Sequence, residues 1–259
     1  MLQIHVKMPP VDQSIDAFME GKTILCRYFG DKKEKENENG EYDEVRYYTV
    51  KEAFEEEDVS NLWYFGLYNP KYLFNLSLIN LPENLLSISL SSCKIKSLKG
   101  ITLPKNLQTL NLSKNHLKKL PDDLPDTIET LNISNNQIRK IWYFPKNLKY
   151  FKAKHNQIKS IPDEFPETLF QFLIDYNKLV KIPKKIPPIM RYLNITDNQI
   201  EEIPESVIDC KYIEVQYEHN NEDIFIPKKI KEVAEVYTQN IDYCYFIICN
   251  DINYGYENE

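Results

Sequence analysis

The sequence predicts an α/β solenoid: a curved parallel β-sheet with an extended, polyproline-like convex side, preceded by a small α+β unit and closed by a C-terminal cap. Three observations predict it. One apolar template, LxxLxLxxNxLxxL, fits five consecutive windows at steps of 20 to 22 residues, starting at Leu107, Ile128, Leu148, Leu169 and Met190. Asparagine returns at one slot in all five, as Asn115, Asn136, Asn156, Asn177 and Asn198. Prolines recur in the second half of the repeats, as in Leu120-Pro121 and Leu124-Pro125, or Ile161-Pro162 and Phe165-Pro166. A repeat of this length cannot bury its apolar face alone and must stack on its neighbours.

Each part of the template has a physical reason. The L-x-L core has period 2, so its apolar side chains share one face of a strand. Burying each Leu or Ile contributes roughly 1.5–3 kcal/mol. The Asn falls where the chain leaves the strand, and its amide can donate to and accept from backbone groups that the turn would bury. Proline fixes φ and removes a donor, so the convex side should carry no regular helix. Before the five windows stands a sixth, Leu85, Ile88, Leu90, Cys93, Ile95 and Leu98, with Cys in the Asn slot. A worn seventh follows at Cys210, Ile213 and Val215, and an eighth opens the array at Leu62, Phe65 and Leu67.

Over residues 62–220 this text resembles the leucine-rich-repeat family. Its short LPxxLP form is similar to the repeats of secreted bacterial effectors of the Yersinia and Shigella type. Similar arrays occur in amoebae and in giant viruses of amoebae such as mimivirus. The resemblance implies a binding scaffold, since the effectors' catalytic ligase domains are far larger than anything outside the repeats here. Residue usage, with 18 Tyr and 6 Gly, favours A/T-rich codons and fits an amoebal or viral source.

The expected organisation is a unit at 1–60, the solenoid at 61–220 and a cap and tail at 221–259. In the first, Lys22–Phe29 and Val45–Val50 read as strands around a charged, mobile loop at 31–44. Ser14–Glu20 reads as a short helix stopped at Gly21, and Thr49 with Glu52 as a capping box before an acidic helix. This unit is either a cap on the first repeat's edge or an interaction domain of its own. In the last, a helix begins at Pro227 with Ile230, Val233, Val236 or Tyr237 and Ile241 at helical spacing, followed by a strand at Tyr243–Cys249. The tail from Asn250 reads as loose.

Composition bounds the function. No apolar run reaches membrane-spanning length, and the first residues lack a secretory pattern. Five scattered cysteines without CxxC or Cys/His spacing argue for thiols in a reducing cytoplasm, that of the host if the source is viral. The net charge of −7 is zoned: residues 31–58 carry −7, residues 85–203 carry +8 and residues 204–259 carry −8.

The template turns four strand slots per repeat to the concave face. Early slots are small and polar. Later ones bring Tyr150, Lys152, Lys154, Leu173, Tyr176, Tyr192, Tyr212 and Tyr217, and these are the candidate partner-binding residues. Past the Asn column Lys96, Lys118, Lys119, Arg139, Lys140, Lys159 and Lys181 form a basic edge that inverts at Glu201 and Glu202, read as an ordinary solvated face ahead of a surface for an acidic protein, nucleic acid, anionic lipid or the acidic flanks of this chain or a neighbour. No aromatic interleaving or groove-reading helix supports specific nucleic-acid recognition. Trp142-Tyr143 replaces the usual Pro where the repeat shortens, and reads as buried filler for that turn ahead of a docking knob. The four histidines, among them His116 and His155, have no nucleophile placed beside them, and there is no Gly-rich phosphate loop. The expected function is therefore a non-catalytic, protein-binding scaffold that uses no cofactor or metal. The alternatives are a self-assembling structural component, with weak self-association, and an adaptor recruiting enzymatic machinery through residues 1–60.

Overall fold

Each repeat contributes one short strand whose residues alternate between core and surface, as at Ser87–Ser91 and Thr109–Asn111, where Ile88, Leu90 and Leu110 are buried between half-exposed neighbours. The computed structural model describes the strands Gln3–His5, Ser14–Met19, Lys22–Cys26 and Leu62–Tyr68, then residues 81–221, 223–234, 236–240 and 243–250. The chain divides into two compact units, Met1–Ile128 and Glu129–Glu259.

In the first unit, β4 (Leu62–Tyr68), β5 (Ser87–Ser91) and β6 (Thr109–Asn111) run parallel. Phe65 pairs with Ile88 and Ile88 with Leu110, so the repeat opening at Leu62 is in register with the rest. Along the other edge of β4 lies β2 (Ser14–Met19), antiparallel. Next to β2 comes β3 (Lys22–Cys26), also antiparallel, and then β1 (Gln3–His5), parallel to β3. The helix expected at Ser14–Glu20 is thus a strand. Its backbone is claimed by β3 and β4 on both sides, and that pairing overrides the local helix signal. The expected strand at Val45–Val50, the loop at 31–44 and the Thr49–Glu52 capping box lie outside the described residues.

The second unit holds five parallel strands: β7 (Thr130–Asn132), β8 (Tyr150–Lys152), β9 (Gln171–Leu173), β10 (Tyr192–Asn194) and β11 (Tyr212–Gln216). A single turn of helix, α1 (Lys228–Val233), precedes β12 (Val236–Asn240) and β13 (Tyr243–Cys249). β13 lies antiparallel on β11, and β12 on β13. The helix expected to reach Ile241 therefore stops at Val233. Val236, Tyr237 and Thr238 have strand-forming side chains, and as β12 they pair an edge that β13 would otherwise leave open.

Behind the sheet the apolar columns are closed to water. In the later repeats the column becomes aromatic: Phe151 stacks on Phe172 with ring centroids 5.4 Å apart, and Phe165 meets Phe172 at 4.8 Å. Phe144 fills the shortened repeat, 5.3 Å from Phe151. Trp142 does not: it is 67% exposed, contrary to the expectation of buried filler. Phe144 already occupies the space the short turn leaves.

No helix interrupts residues 81–203, as the prolines require. Instead a proline carbonyl accepts the N–H of the residue three ahead, which opens the next repeat: Pro104 to Leu107, Pro125 to Ile128, Pro145 to Leu148, Pro166 to Leu169 and Pro187 to Met190, at 2.9–3.2 Å. Where the strands end, the chain passes through left-handed residues: Lys114, Asn135, His155, Tyr176, Asp197 and His219 each precede an asparagine, with φ between 48° and 57°, and Ser92 and Lys94 flank Cys93 at 59° and 57°. A non-glycine residue there costs roughly 1–2 kcal/mol.

The next residue offsets that cost. Asn177 Oδ1 accepts from Ile158 N–H at 2.9 Å, and its Nδ2 donates to the carbonyls of Ala153, Ile174 and Asp175 at 2.9, 2.9 and 3.2 Å. Asn115, Asn156 and Asn198 repeat the pattern, each reaching the repeat before it. Cys93 stands in this slot with only its Sγ, which donates to Ser91 O at 3.4 Å.

Asn220 belongs to the same ladder. It accepts from Ile200 N–H at 2.8 Å and donates to Ile195, Tyr217 and Glu218 carbonyls. β10 pairs Leu193 with Val215, not with Ile213. The last repeat therefore keeps its strand and ladder slots, at Val215, Tyr217 and Asn220, two residues later than the spacing of Cys210, Ile213 and Val215 suggests. The extra length is taken up by a 3-10 turn at Glu205–Asp209, where other repeats run extended.

Two outcomes follow from this packing. Asn177→Ala leaves the Ile158 N–H without its acceptor and should cost about 1–3 kcal/mol in denaturant unfolding; a change under a few tenths would reject the ladder's role. Burial pushes the Cys210 thiol up from 9.0 to about 11. An unfolded chain ionises first, so this thiol should subtract stability as pH rises from about 9 to 11 and leave it unaffected below. The Cys210→Ala variant should lose that part of the alkaline decline, as read in unfolding curves across that range.

Candidate functional site

The side chains that β8 to β11 turn away from the core make the candidate site. Tyr150, Tyr176 and Tyr192 are 39%, 48% and 40% exposed. Lys152 and Lys154 are exposed, and Leu173 and Tyr212 are half-buried. Tyr217 is a correction. The two-residue shift of the last repeat puts it in an inward slot, 2% exposed, with its ring 5.9 Å from Phe246. The alternation of β11 is the reason: Ile213, Val215 and Tyr217 point in, while Tyr212, Glu214 and Gln216 point out.

The face resolves into two rows. Where the strands begin, Phe170 joins Tyr150 at 5.8 Å to Tyr192 at 6.1 Å, and the Arg191 guanidinium lies 5.9 Å from the Tyr212 ring centroid. Phe170 and Arg191 are not among the sequence candidates, because they precede the outward strand slots by one. A signal existed: Phe170 breaks a column that otherwise reads Gln108, Glu129 and Lys149. Where the strands end, the left-handed residues make the second row. His155 stacks on Tyr176 at 4.3 Å with 17° between the rings. Asp197 is the next residue of this row, its charge felt at the Tyr176 phenol, and His219 Nδ1 lies 3.2 Å from Asp197 Oδ1. A left-handed backbone throws these side chains outward together. Asp197 shares the concave-facing template slot of Tyr176 without being among the sequence candidates, and His219 is missed because the last repeat is read two residues early.

Between the rows runs a polar lattice. Asn194 Nδ2 donates to Gln216 Oε1 at 2.9 Å, and Gln216 Nε2 donates to Glu214 Oε1 at 2.6 Å. Charge is divided, with Lys152 and Lys154 on the earlier strand and Asp175, Asp197, Glu214 and Glu218 on the later ones. Burial raises the Asp175 carboxyl above its ordinary value, and the Asp197 charge raises Tyr176 above its own. Burial, ahead of the Glu214 charge, raises Tyr212. Among the described residues no group of three or more His, Cys, Asp or Glu is placed to hold a metal ion, and no helix is long and apolar enough to cross a membrane. The chemistry on offer is recognition: aromatic area, amides and hydroxyls in a fixed lattice, and two blocks of opposite charge.

The basic edge is exposed in both units. In the first, Lys119 approaches Asp122 at 3.7 Å. In the second, Lys181 bonds Asp163 at 3.3 Å. Such exposed pairs contribute little to stability.

Asp197→Asn removes the charge that holds Tyr176 up. Its phenol should titrate at lower pH than in the parent chain, as read from its ring carbon shift in NMR. An unchanged titration would show that the two side chains are not coupled.

Comparison with known proteins places this geometry. A family model described as Leucine Rich Repeat matches residues 106–126. The structure of YopM from Yersinia enterocolitica is similar, at 32% identity and a TM-score of 0.52, over 58% of this chain and 33% of that one. A Shigella effector LRR domain is similar at 24% identity and a TM-score of 0.51, over 64% and 72% of the two chains. A leucine-rich effector protein YopM from Yersinia pestis is similar at 25% identity and a TM-score of 0.47, over 57% and 46%. The match thus spans only a third of the first chain and about half of the last. No curated protein sequence matches. With its parallel sheet, asparagine ladder and proline-turned backs, the chain has the leucine-rich-repeat solenoid fold, and its repeats are similar to those of YopM from Yersinia enterocolitica.

Proposed function

We propose that this chain is a non-catalytic scaffold that holds a partner protein on the concave face of its later repeats. The contact residues are Tyr150, Lys152, Lys154, Leu173, Tyr176, Tyr192 and Tyr212, joined by Phe170 and Arg191. One observation carries the reading. Three tyrosines stand 39–48% exposed on a face whose backbone is pinned repeat by repeat through buried asparagine amides. Tyrosine offers large contact area at low entropic cost. A rigid support spares the ordering cost that weakens most interfaces. The divided charge favours a partner with acidic groups toward Lys152 and Lys154 and basic groups toward Asp175 and Asp197. In this reading residues 1–60 and 221–259 serve as end caps, which the antiparallel pairing of β2 on β4 and of β13 on β11 supports. A reducing, intracellular setting fits the buried Cys93 and Cys210.

The test is affinity capture from the native cell followed by mass spectrometry. Replacing Tyr150, Tyr176 and Tyr192 together with Ala should abolish capture of the partner while the unfolding curve stays that of the parent. Undiminished capture by the triple variant would reject the proposal.

A further inference from the structure

The edge past the asparagine ladder in the second unit carries a feature that the sheet face does not explain. Pro121, Pro162, Pro183 and Pro204 mark one slot of the repeat, and Trp142 holds that slot where the repeat is shortest. Pro183 and Pro204 are buried, whereas Trp142 is 67% exposed. Its backbone is held in place: Lys140 bridges Ser160, and Ile141 N–H donates to Ser160 O at 3.1 Å. The Lys140 ammonium lies 3.6 Å from the indole centroid. Arg139 and Lys159 are exposed beside it, and among the described residues no carboxylate pairs with Arg139, Lys140 or Lys159. The backbones of Arg139 and Lys159 are tied together, Lys159 N–H donating to Arg139 O at 2.9 Å. A fixed, exposed indole is favourable to cover, and a carboxylate brought beside the three cations would pair with them where partial desolvation strengthens both that pairing and the cation–π contact.

The geometry points to this edge, Arg139, Lys140, Trp142 and Lys159, as a second docking site that takes a short acidic peptide segment of a partner protein. Charge complementarity selects the occupant. Within the second unit the positive stretch is short: Lys181 is already paired with Asp163, and the edge turns negative at Glu201, Glu202 and Glu205. A nucleic-acid strand or an anionic membrane would extend across those acids and be repelled. A segment of a few residues covers the cations alone, with an aliphatic or aromatic side chain on the indole.

The test uses the full chain and an acetylated peptide alternating glutamate and leucine, with its glutamine counterpart as control. Intrinsic fluorescence and calorimetry should show binding of the glutamate peptide only, weakening with salt. Trp142→Ala and, separately, Lys159→Glu should each weaken it by at least about fivefold, the scale of one interface anchor. Tyr150→Ala should leave it unchanged, which separates this site from the sheet face. Several results would overturn the inference: no binding, or binding that survives both edge variants. So would tighter binding of phosphatidylserine vesicles or oligothymidylate, or a dimer in light scattering that Trp142→Ala dissolves, which would assign the edge to a second copy of this chain.

Discussion

A buried amide that must find four partners organises this molecule. Each ladder asparagine caps a turn in which the chain has just passed through a left-handed residue, and it reaches back to the preceding repeat for both an acceptor and a donor contact. Leaving any of these groups unpaired in the interior costs about as much as a core methyl or two. Neighbouring repeats are therefore locked in register, and not merely stacked by apolar contact. The proline carbonyl that receives the opening N–H of each next repeat closes the opposite side in the same manner.

What is open to variation follows from what is locked. With the inward slots committed to Leu, Ile and Phe and the turn slot committed to Asn, the outward strand slots and the left-handed slot are free to differ between repeats. The left-handed slot matters more than its place in a turn suggests. It carries His155, Tyr176, Asp197 and His219, which contact one another as a line along the rim of the face. Backbone geometry imposed for the ladder's sake thereby aligns side chains of very different chemistry, and recognition inherits that alignment without further ordering cost. The second edge gains its character by the same rule: the bridge at Lys140 and Ser160 belongs to the scaffold, and what it presents, Trp142, is local variation.

Much of this was legible in the residue order. The template locates β5 to β10 and their buried residues, and the opening repeat at Leu62, Phe65 and Leu67 pairs in register with the next. Prolines excluded helices from the backs of the repeats, as observed. Three readings failed for one reason. Ser14–Met19, the stretch after Val233 and Trp142 were judged from local pattern, and each was decided by what lies beside it: β3 and β4, β13, and Phe144. Tyr150, Tyr176 and Tyr192 are exposed in their template slots and Asp197 shares the slot of Tyr176, while Phe170 and Arg191 stand one position before the strand slots and His219 depends on the register of the last repeat.

The sequence by itself determined the repeat, its core and its ladder, because periodic burial and a periodic buried amide leave a periodic signature. Tertiary structure alone decided the register of the last repeat. There Asn220 and Val215, not Ile213, set the template, and Tyr217 passed from surface to core against Phe246. A shift of two residues preserves strand alternation, so periodicity cannot detect it; only the hydrogen bonds to the neighbouring repeat can choose between the two.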